Sequence, residues 1–286
     1  MGYMDPDKKL SDFIDFLKSA HKATATVIAY RKDIAQLLEY LKKMDKTNLK
    51  DVTTDNLNGF LALLSAQNYT PKSVSRKINS IKTFYRFLIL NRVIDSNVSA
   101  SIAHPKFDSK APRILSRMEY RALRDAARAD IRIAAVVELL LQTGMRIGEL
   151  SALTLDSVSE NFIRIPAIEG HLQRDVPLNK AAKEALQKYL EARPKVDTKA
   201  LFVTKTGHPL LIRNIRTAID RYFKIAGIQG AKVNDLRHTF IAHHLAAGTS
   251  PVLISKLAGH KRIATTEKYL EFIKDLPIEK TKLDEL

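Results

Sequence analysis

The sequence of 286 residues contains no cysteine, and this absence sets the first limit on its chemistry. Disulfides, thiol nucleophiles and zinc sites built on cysteine are all excluded. No apolar run approaches the roughly 20 residues that a helix needs to cross a bilayer. The start of the chain, from Met1 to Leu10, is polar and charged and does not resemble a signal peptide. We therefore expect a cytoplasmic protein that has access to DNA and no contact with membranes.

Acidic side chains are outnumbered as well. Lys and Arg total 47 against 31 Asp and Glu, so the formal net charge is +16. A field of this sign attracts polyanions, of which nucleic acid is the most common. A generally basic soluble protein would show the same balance, so the charge alone leaves both interpretations open.

Helical periodicity dominates the first hundred residues. Apolar residues recur at helical spacing from Tyr30 to Leu41, and a second helix is predicted to open at Thr70-Pro71. Basic residues lie largely off these apolar stripes, where they could face solvent or bind DNA phosphates. We favour DNA binding, and the candidate contacts are Arg31, Lys72, Arg76 and Lys77.

A stretch from His104 to Arg113 has two prolines and little apolar content, which is typical of a linker. We therefore expect a helical domain over residues 1–103, a linker over 104–113 and a second domain over 114–286. The second domain is predicted to mix helices with short strands. Two strands, Phe162–Ile165 and Arg174–Leu178, alternate around a turn at Glu169-Gly170, and Leu201–Val203 is predicted as another strand.

Two segments of the second domain hold arginines in positions that suit a phosphate. In TGMRIGEL, from Thr143 to Leu150, Arg146 is predicted to lie in a turn between two helices, where Glu149 could orient its guanidinium. In NDLRHTF, a spacing of three places Asn234 and Arg237 on one face of a helix. Taken singly, neither arginine is specific, and Arg146 alone is better explained as a surface side chain at the start of a helix.

A third segment combines LAGH with TTEKY. His260 follows Gly259, which is predicted to end a helix, and Thr265 or Thr266 is predicted to cap the helix that carries Tyr269. Three further histidines lack carboxylates or cysteines at ligand spacing, so we interpret them as polar or packing residues and predict no metal site: His238, His243 and His244.

Together these blocks resemble the signature of the tyrosine recombinases, and in particular of their Xer-type and phage-integrase-like members. The family patterns TG-x-R-x-x-E-L, LRH-[ST]-F and LLGH…TT-x-x-Y stand here as TGMRIGEL, LRHTF and LAGH…TTEKY. The motifs cover residues 112–275, and the basic helical N-terminal part matches by architecture only. The resemblance implies an α+β fold that is mainly α. An all-helical DNA-binding domain and a catalytic domain with a small antiparallel sheet would form a C-shaped clamp.

The resemblance also implies a mechanism. Tyr269 would attack a DNA phosphodiester, form a 3′-phosphotyrosyl link and release a 5′-hydroxyl. Arg146 and Arg237 would stabilise the negative charge of the transition state, and His260 would hydrogen-bond the scissile phosphate. Glu149 would orient Arg146 without contacting the phosphate itself. No cofactor is implied, because the covalent link stores the bond energy and neither ATP nor a metal is required.

The partners that the resemblance implies are double-stranded DNA and further copies of this chain. Two protomers would bind each site, and a homo-tetramer would exchange strands through a Holliday junction, in integration, excision or dimer resolution. The tail from Phe272 to Leu286 would dock on a neighbouring protomer, although a frayed terminus has the same composition.

Two positions depart from the family pattern. Asn234 stands where the family has a histidine, and it cannot shuttle a proton. Glu169 stands where the family's hairpin has a lysine that protonates the leaving 5′-oxygen. A carboxylate cannot hold a proton near neutral pH without a large rise in its pKa. His171 or Arg174 could substitute, or the enzyme could be slow or need a partner subunit.

Three alternatives remain. The chain could be a DNA-binding partner or regulator with an impaired active site, which Asn234 and Glu169 favour and the retained arginines, His260 and Tyr269 oppose. It could be a mobile-element integrase rather than a resolvase of chromosome dimers. A helical metal-dependent nuclease would need clustered carboxylates, which the sequence does not offer.

Overall fold

The computed structural model describes residues 5–106, 111–168 and 170–273. The chain divides into two compact units, Met1–Ser109 and Lys110–Leu286. The division falls inside the segment 104–113, of which residues 107–110 lie outside the described part of the chain. The linker and the limits of the domains therefore stay predictions.

The N-terminal unit is built from helices, as predicted. Helices α1 (Pro6–Ser19), α2 (Thr24–Lys43), α3 (Thr54–Ala66) and α4 (Pro71–Leu90) enclose an apolar core. Helix α4 begins at the predicted place, because Thr70 accepts a hydrogen bond from the Ser73 amide and Pro71 occupies the first turn. The largest fully buried side chains of this core are Phe13, Phe60, Phe84 and Tyr85.

One candidate DNA contact of this unit points inward. The expectation that Lys77 lies off the apolar stripe is wrong, because its side chain is only 6% exposed. Its ammonium group donates hydrogen bonds to Asp33 at 2.9 Å and to Gln36 at 2.7 Å. A buried carboxylate must be paired, and the Asp33 side chain on α2 is 1% exposed. The other candidates are exposed: Arg31, Lys72 and Arg76.

The C-terminal unit combines helices with one hairpin. Its central helix is α6, in which every residue from Ala135 to Thr143 is buried. Because α6 is fixed by this core, the turn that follows it at Gly144 is fixed as well. The helices of the unit are α5 (Arg117–Ala127), α6 (Ile131–Thr143), α7 (Ile147–Ser151), α8 (Lys180–Ala192), α9 (Ile212–Ile225), α10 (Val233–Ala246), α11 (Pro251–Ala258), α12 (Ala264–Glu267) and α13 (Tyr269–Phe272).

The predicted hairpin is present. Strands β1 (Phe162–Ile165) and β2 (Arg174–Pro177) pair antiparallel, with Ile165 opposite Arg174. Near the turn, Ile168 and His171 exchange two backbone hydrogen bonds, of 3.1 and 2.8 Å. Glu169, which the sequence places in this turn, lies outside the described residues.

The further strand predicted at Leu201–Val203 is wrong. Within the described residues this segment has one isolated bridge, between Val203 and Pro209, and Ala200 just before it bridges to Thr154. Its backbone hydrogen bonds go to separate irregular segments, so no continuous ladder forms. All three residues of the segment are buried nevertheless, and Leu201 and Phe202 belong to the core of this unit.

Two structural absences apply to the described ranges. None of the helices found there is both long and apolar enough to cross a membrane. Nor do three or more His, Cys, Asp or Glu side chains come together there as a group that could hold a metal ion.

Candidate active site

A buried carboxylate, Glu149, holds two arginines in the C-terminal unit. Arg174 on β2 donates two hydrogen bonds to it, of 2.9 and 2.8 Å. Arg146, directly before α7, donates one from its guanidinium at 3.1 Å and one from its backbone amide at 2.7 Å. Glu149 is 1% exposed, so these groups rather than water compensate its charge. Both guanidinium groups are therefore held in one orientation.

The protonation state of Glu149 follows from these contacts. Burial alone would raise the pKa of its carboxyl group. The hydrogen bonds from Arg174 and from the Arg146 amide outweigh burial and hold this pKa at about 2. The carboxylate is therefore charged at neutral pH, as both arginine contacts require.

Arg237, on α10, is anchored by carbonyl groups instead of a carboxylate. Its guanidinium donates to the backbone oxygens of Gly144 and Ala258, the second at 2.6 Å. Arg146 donates to the same Ala258 oxygen at 3.4 Å and to that of Gly259 at 3.0 Å. The two guanidinium groups thus converge on the turn that ends α11.

The site carries more positive than negative charge. Burial and the neighbouring Arg146 cation lower the pKa of Arg237, yet a guanidinium in a protein stays protonated at neutral pH. Among the residues that the structure describes, three arginines therefore face one carboxylate: Arg146, Arg174 and Arg237 face Glu149. An excess of fixed cations beside backbone dipoles is suited to an anion such as a phosphate.

Two glycines make this convergence possible. Gly144 ends α6 with a φ of +60°, and a Cβ there would lie 2.3 Å from the ring of Phe240. Gly259 ends α11 with a φ of +68°, and a Cβ there would lie 2.6 Å from a guanidinium nitrogen of Arg174. Another residue would be strained at either position and would displace the buried neighbour.

His260 follows Gly259 and is fixed by a hydroxyl group. Its Nδ1 lies 2.7 Å from Oγ1 of Thr266, which is fully buried. Burial and the Arg237 cation lower the pKa of His260 to about 4, so the ring is neutral at pH 7. The prediction that Thr265 or Thr266 caps the helix that carries Tyr269 is wrong: both threonines lie inside α12, and α13 begins at Tyr269. The Thr266 hydroxyl contacts His260 instead.

Tyr269, at the start of α13, lies beside two histidines. Its ring is nearly parallel to that of His260, at 18° and 6.5 Å between centroids. Its hydroxyl oxygen lies 2.6 Å from Nδ1 of His238 on α10. Sequence reasoning missed His238, which it treated as an ordinary polar or packing residue. A signal was available, because His238 is four residues after Asn234 and shares its helix face.

The other two histidines of this helix do pack against aromatic rings. The ring of His243 meets that of Tyr120 edge-on, and the ring of His244 meets that of Phe240 in the same way. Asn234 is exposed at the start of α10. Within the described residues, no hydrogen bond joins its side chain to the remaining candidates.

The hairpin places one further candidate beside the arginines. His171 has a buried Nδ1 for which the described residues supply no hydrogen-bond partner. Burial and the Arg146 cation lower the pKa of this histidine, so its ring is neutral at pH 7. Arg174, in contrast, is engaged by Glu149 and by the Leu257 carbonyl at 2.7 Å.

Both units of the chain match models of known protein families. Residues 110–274 match the model of the phage integrase family, and residues 10–92 match that of the phage integrase N-terminal SAM-like domain. The tyrosine recombinase XerD of Oceanobacillus iheyensis is 32% identical over 281 residues, which cover 93% of this chain and 94% of that relative.

Solved structures share the fold. A lambda integrase dimer bound to a COC′ core site (residues 75–356) superposes with a TM-score of 0.74 at 20% identity, covering 92% of this chain and 97% of that one. A lambda integrase tetramer bound to a Holliday junction gives a TM-score of 0.72 at 20% identity, covering 90% and 77%. The family model spans more than half of the chain and the bacterial relative nearly all of it, so this chain belongs to the phage integrase family and is a tyrosine recombinase.

Proposed function

We propose that this chain cleaves and rejoins DNA at specific sites, with Tyr269 as the nucleophile. One observation carries the proposal. Arg146 and Arg237 donate to the same Ala258 carbonyl, and the residue two positions on, His260, lies against the ring of Tyr269. A phosphate bound by the two arginines would therefore lie beside both His260 and a hydroxyl group.

The proposed reaction is phosphoryl transfer from one oxygen to another. The Tyr269 oxygen attacks the scissile phosphorus and forms a 3′-phosphotyrosyl link, while the bond to the 5′-oxygen breaks. Arg146 and Arg237 stabilise the additional negative charge of the transition state, and their anchors keep them in place beforehand. His260, held through Nδ1 by Thr266, has Nε2 left to hydrogen-bond the phosphate. The covalent link stores the bond energy, so rejoining needs neither ATP nor a metal.

Arg174 and Glu149 have a positioning role in this proposal. Because Arg174 is held by Glu149 and by the Leu257 carbonyl, it supports Arg146 and is not free to act on the leaving group. Of the two residues considered as substitutes for the hairpin lysine, Arg174 is therefore excluded and His171 remains. Asn234 is exposed, and we assign it at most a hydrogen bond to the DNA backbone.

The proposed partners are duplex DNA and three further copies of the chain. A lambda integrase, which shares the fold, has been solved as a tetramer on a Holliday junction. On this basis we propose two protomers at each site and strand exchange through such a junction, in the cytoplasm. Exposed cations of the N-terminal unit would bind the DNA backbone: Arg31, Lys72 and Arg76. The proposed exchange of C-terminal tails rests on residues 274–286, which lie outside the described residues.

A DNA-binding partner without catalytic activity is the second candidate function. It is favoured by Asn234 and by the hairpin without lysine. Against it stands the two-sided anchoring of Arg146 and Arg237, since binding alone does not require buried arginines on shared carbonyls.

The test uses a nicked suicide substrate that contains the recombination site, recovered beforehand by selecting bound duplexes from random DNA. Without added metal, wild-type protein should form a covalent protein–DNA band, and Tyr269→Phe should form none. Tyr120→Phe, which removes a hydroxyl elsewhere in the same unit, should behave like wild type. Tight and specific binding with no covalent band would support the inactive partner instead.

A further inference from the structure

The Tyr269 hydroxyl has one hydrogen-bond partner among the described residues, and that partner is His238. The distance from Oη to Nδ1 is 2.6 Å, and the two rings are tilted by 39° with 5.9 Å between centroids. His238 lies one helical turn after Asn234 on α10, and α10 packs directly on α13. The packing of these two helices therefore holds the imidazole of His238 beside the hydroxyl of Tyr269.

The reaction requires a group that removes a proton from this hydroxyl. Tyr269 is 7% exposed, and burial raises its pKa although Arg237 and Arg146 act in the opposite direction. The hydroxyl is therefore protonated at neutral pH and is a poor nucleophile. The Nδ1 atom of His260 is engaged by Thr266, and arginines have no lone pair to offer.

We propose that His238 is the general base of the cleavage step and takes over the proton transfer that Asn234 cannot perform. This inference rests on the proposed function, in which Tyr269 attacks DNA. As the bond between Oη and phosphorus forms, the hydroxyl proton moves to Nδ1 of His238. The bond from phosphorus to O5′ breaks, and O5′ leaves with a proton from a separate donor. In rejoining, His238 returns its proton to the departing Tyr269 oxygen, so each cycle restores both groups.

The electrostatic surroundings of His238 suit a base. Burial lowers its pKa, the Asp235 carboxylate acts to raise it and the Arg237 cation acts to lower it. From the neighbouring elements it is faced by Tyr269 on α13 and by the neutral His260 after α11. The net shift is downward, so His238 is neutral at pH 7 with a lone pair available on Nδ1.

Single-turnover cleavage of the suicide substrate, measured against pH, tests this role. We expect His238→Gln to slow cleavage by about 10²-fold or more, while DNA binding stays unchanged. The wild-type rate should level off above the pKa of His238, whereas the variant's rate should keep rising with pH as the tyrosine ionises by itself. Replacing Tyr269 with a fluorinated tyrosine of lower pKa should therefore rescue the variant more than the wild type. His243→Gln, on the same helix but packed on Tyr120, should cleave like wild type.

Each other result has a definite meaning. A wild-type rate and pH profile in His238→Gln would overturn the inference and leave the proposed function intact. Slow cleavage with a wild-type pH profile would reduce His238 to a structural support, and faster cleavage would make the contact a restraint on Tyr269. If the wild-type protein forms no covalent link through Tyr269, the proposed function fails and this inference fails with it.

An independent observation concerns the proton for the leaving group. No lysine is present in the hairpin from Ile168 to Leu178. However, the ammonium group of Lys261 lies 3.2 Å from where a Cβ on Gly170 would be, at the turn of this hairpin. Lys261 also acts electrostatically on His171, together with Arg146. A cation from outside the hairpin therefore reaches the turn from which the family's lysine acts.

We infer that Lys261 donates the proton that O5′ takes up as its bond to phosphorus breaks. The amine is then neutral, and it regains the proton from the 5′-hydroxyl during rejoining. Lys261 is exposed. His171 is the competing donor, but its lowered pKa leaves it without a proton to give at neutral pH.

DNA in which sulfur replaces the bridging 5′-oxygen tests this assignment, because a thiolate leaves without a proton. We expect Lys261→Ala to cleave normal DNA about 10²-fold or more slowly and the sulfur substrate at the wild-type rate. Lys256→Ala, an exposed lysine on α11, should match wild type on both substrates. Normal cleavage by Lys261→Ala, a loss that persists on sulfur, or sulfur rescue of His171→Ala alone would each overturn the inference. The wild-type covalent band on both substrates tests the proposed function separately.

Discussion

Each unit of the molecule contains a buried carboxylate that pairs with two cations, and the two clusters differ in what surrounds them. In the N-terminal unit, Asp33 pairs with Arg76 and Lys77. In the C-terminal unit, Glu149 pairs with Arg146 and Arg174. Around Asp33 the remaining contact of Lys77 goes to a side-chain amide and the ring of Tyr69 lies 5.1 Å away, so the ammonium group of Lys77 is enclosed. The side chain of Arg76 stays 46% exposed.

Around Glu149 the cluster contains one more cation. A third arginine, Arg237, is added, and among the described residues it is anchored by backbone carbonyls and by no second carboxylate. The side chain of Arg146 remains 30% exposed. Asp33 holds two cations, one of them buried, whereas the Glu149 cluster adds a third cation, so its excess of positive charge is larger and is suited to an external anion. We therefore propose the second cluster as the site of phosphate chemistry, although both clusters are built from ion pairs.

The largest effect on stability is expected from Glu149→Gln. Removing the charge leaves Arg146 and Arg174 without their counter-ion, which should lower the free energy of unfolding by about 3–5 kcal/mol at neutral pH. Urea denaturation followed by far-UV circular dichroism measures the change. Asp175→Asn, which removes an exposed carboxylate from the same hairpin, should alter stability little. Equal effects of both variants would contradict the assignment of Glu149 as the organising charge.

The stability difference between wild type and Glu149→Gln is also expected to depend on pH. The pKa of Glu149 is lowered from 4.5 to about 2 by folding, so its stabilisation is complete above pH 4.5 and is lost as the pH falls toward 2. The stability difference between wild type and Glu149→Gln should shrink over this window. A difference that stays constant from pH 6 to about pH 2 would show that Glu149 does not act through its charge.

A smaller effect is expected from Lys77→Met in the Asp33 cluster. Asp33 keeps Arg76 but loses a hydrogen bond inside the core, which should lower the free energy of unfolding by about 1–3 kcal/mol. The single-turnover cleavage rate at saturating protein should not change, because the cluster is not part of the site. Lys32→Met, an exposed neighbour on α2, is the control and should alter neither quantity. Slower cleavage in folded Lys77→Met would contradict the division into a structural and a functional cluster.

The two clusters also show what sequence reasoning could reach. Motif spacing named Arg146, Glu149, Arg237, His260 and Tyr269, and helix signals placed the turn at Gly144. The burial of Lys77 was out of reach, because it depends on Asp33, which is 44 residues away on another helix. Helix periodicity could place His238 on the face of Asn234, but it could not give the contact with Tyr269, since that contact joins α10 to α13. Periodicity describes one element at a time, whereas pairing across elements depends on how they pack.

The smallest expected effect is on DNA binding, where an exposed and a buried lysine of α4 should behave differently. Lys72 is exposed on α4, and if it contacts one phosphate, Lys72→Gln should reduce the salt dependence of binding by about 0.9 in the slope of log K against log salt. Lys77→Met, measured where the protein is fully folded, should leave that slope unchanged because its ammonium group is spent on Asp33. Fluorescence anisotropy over a range of salt concentrations gives both slopes. A reduced slope for Lys77→Met would mean that the Asp33 cluster opens on DNA, and an unchanged slope for Lys72→Gln would place the DNA on another face of the N-terminal unit.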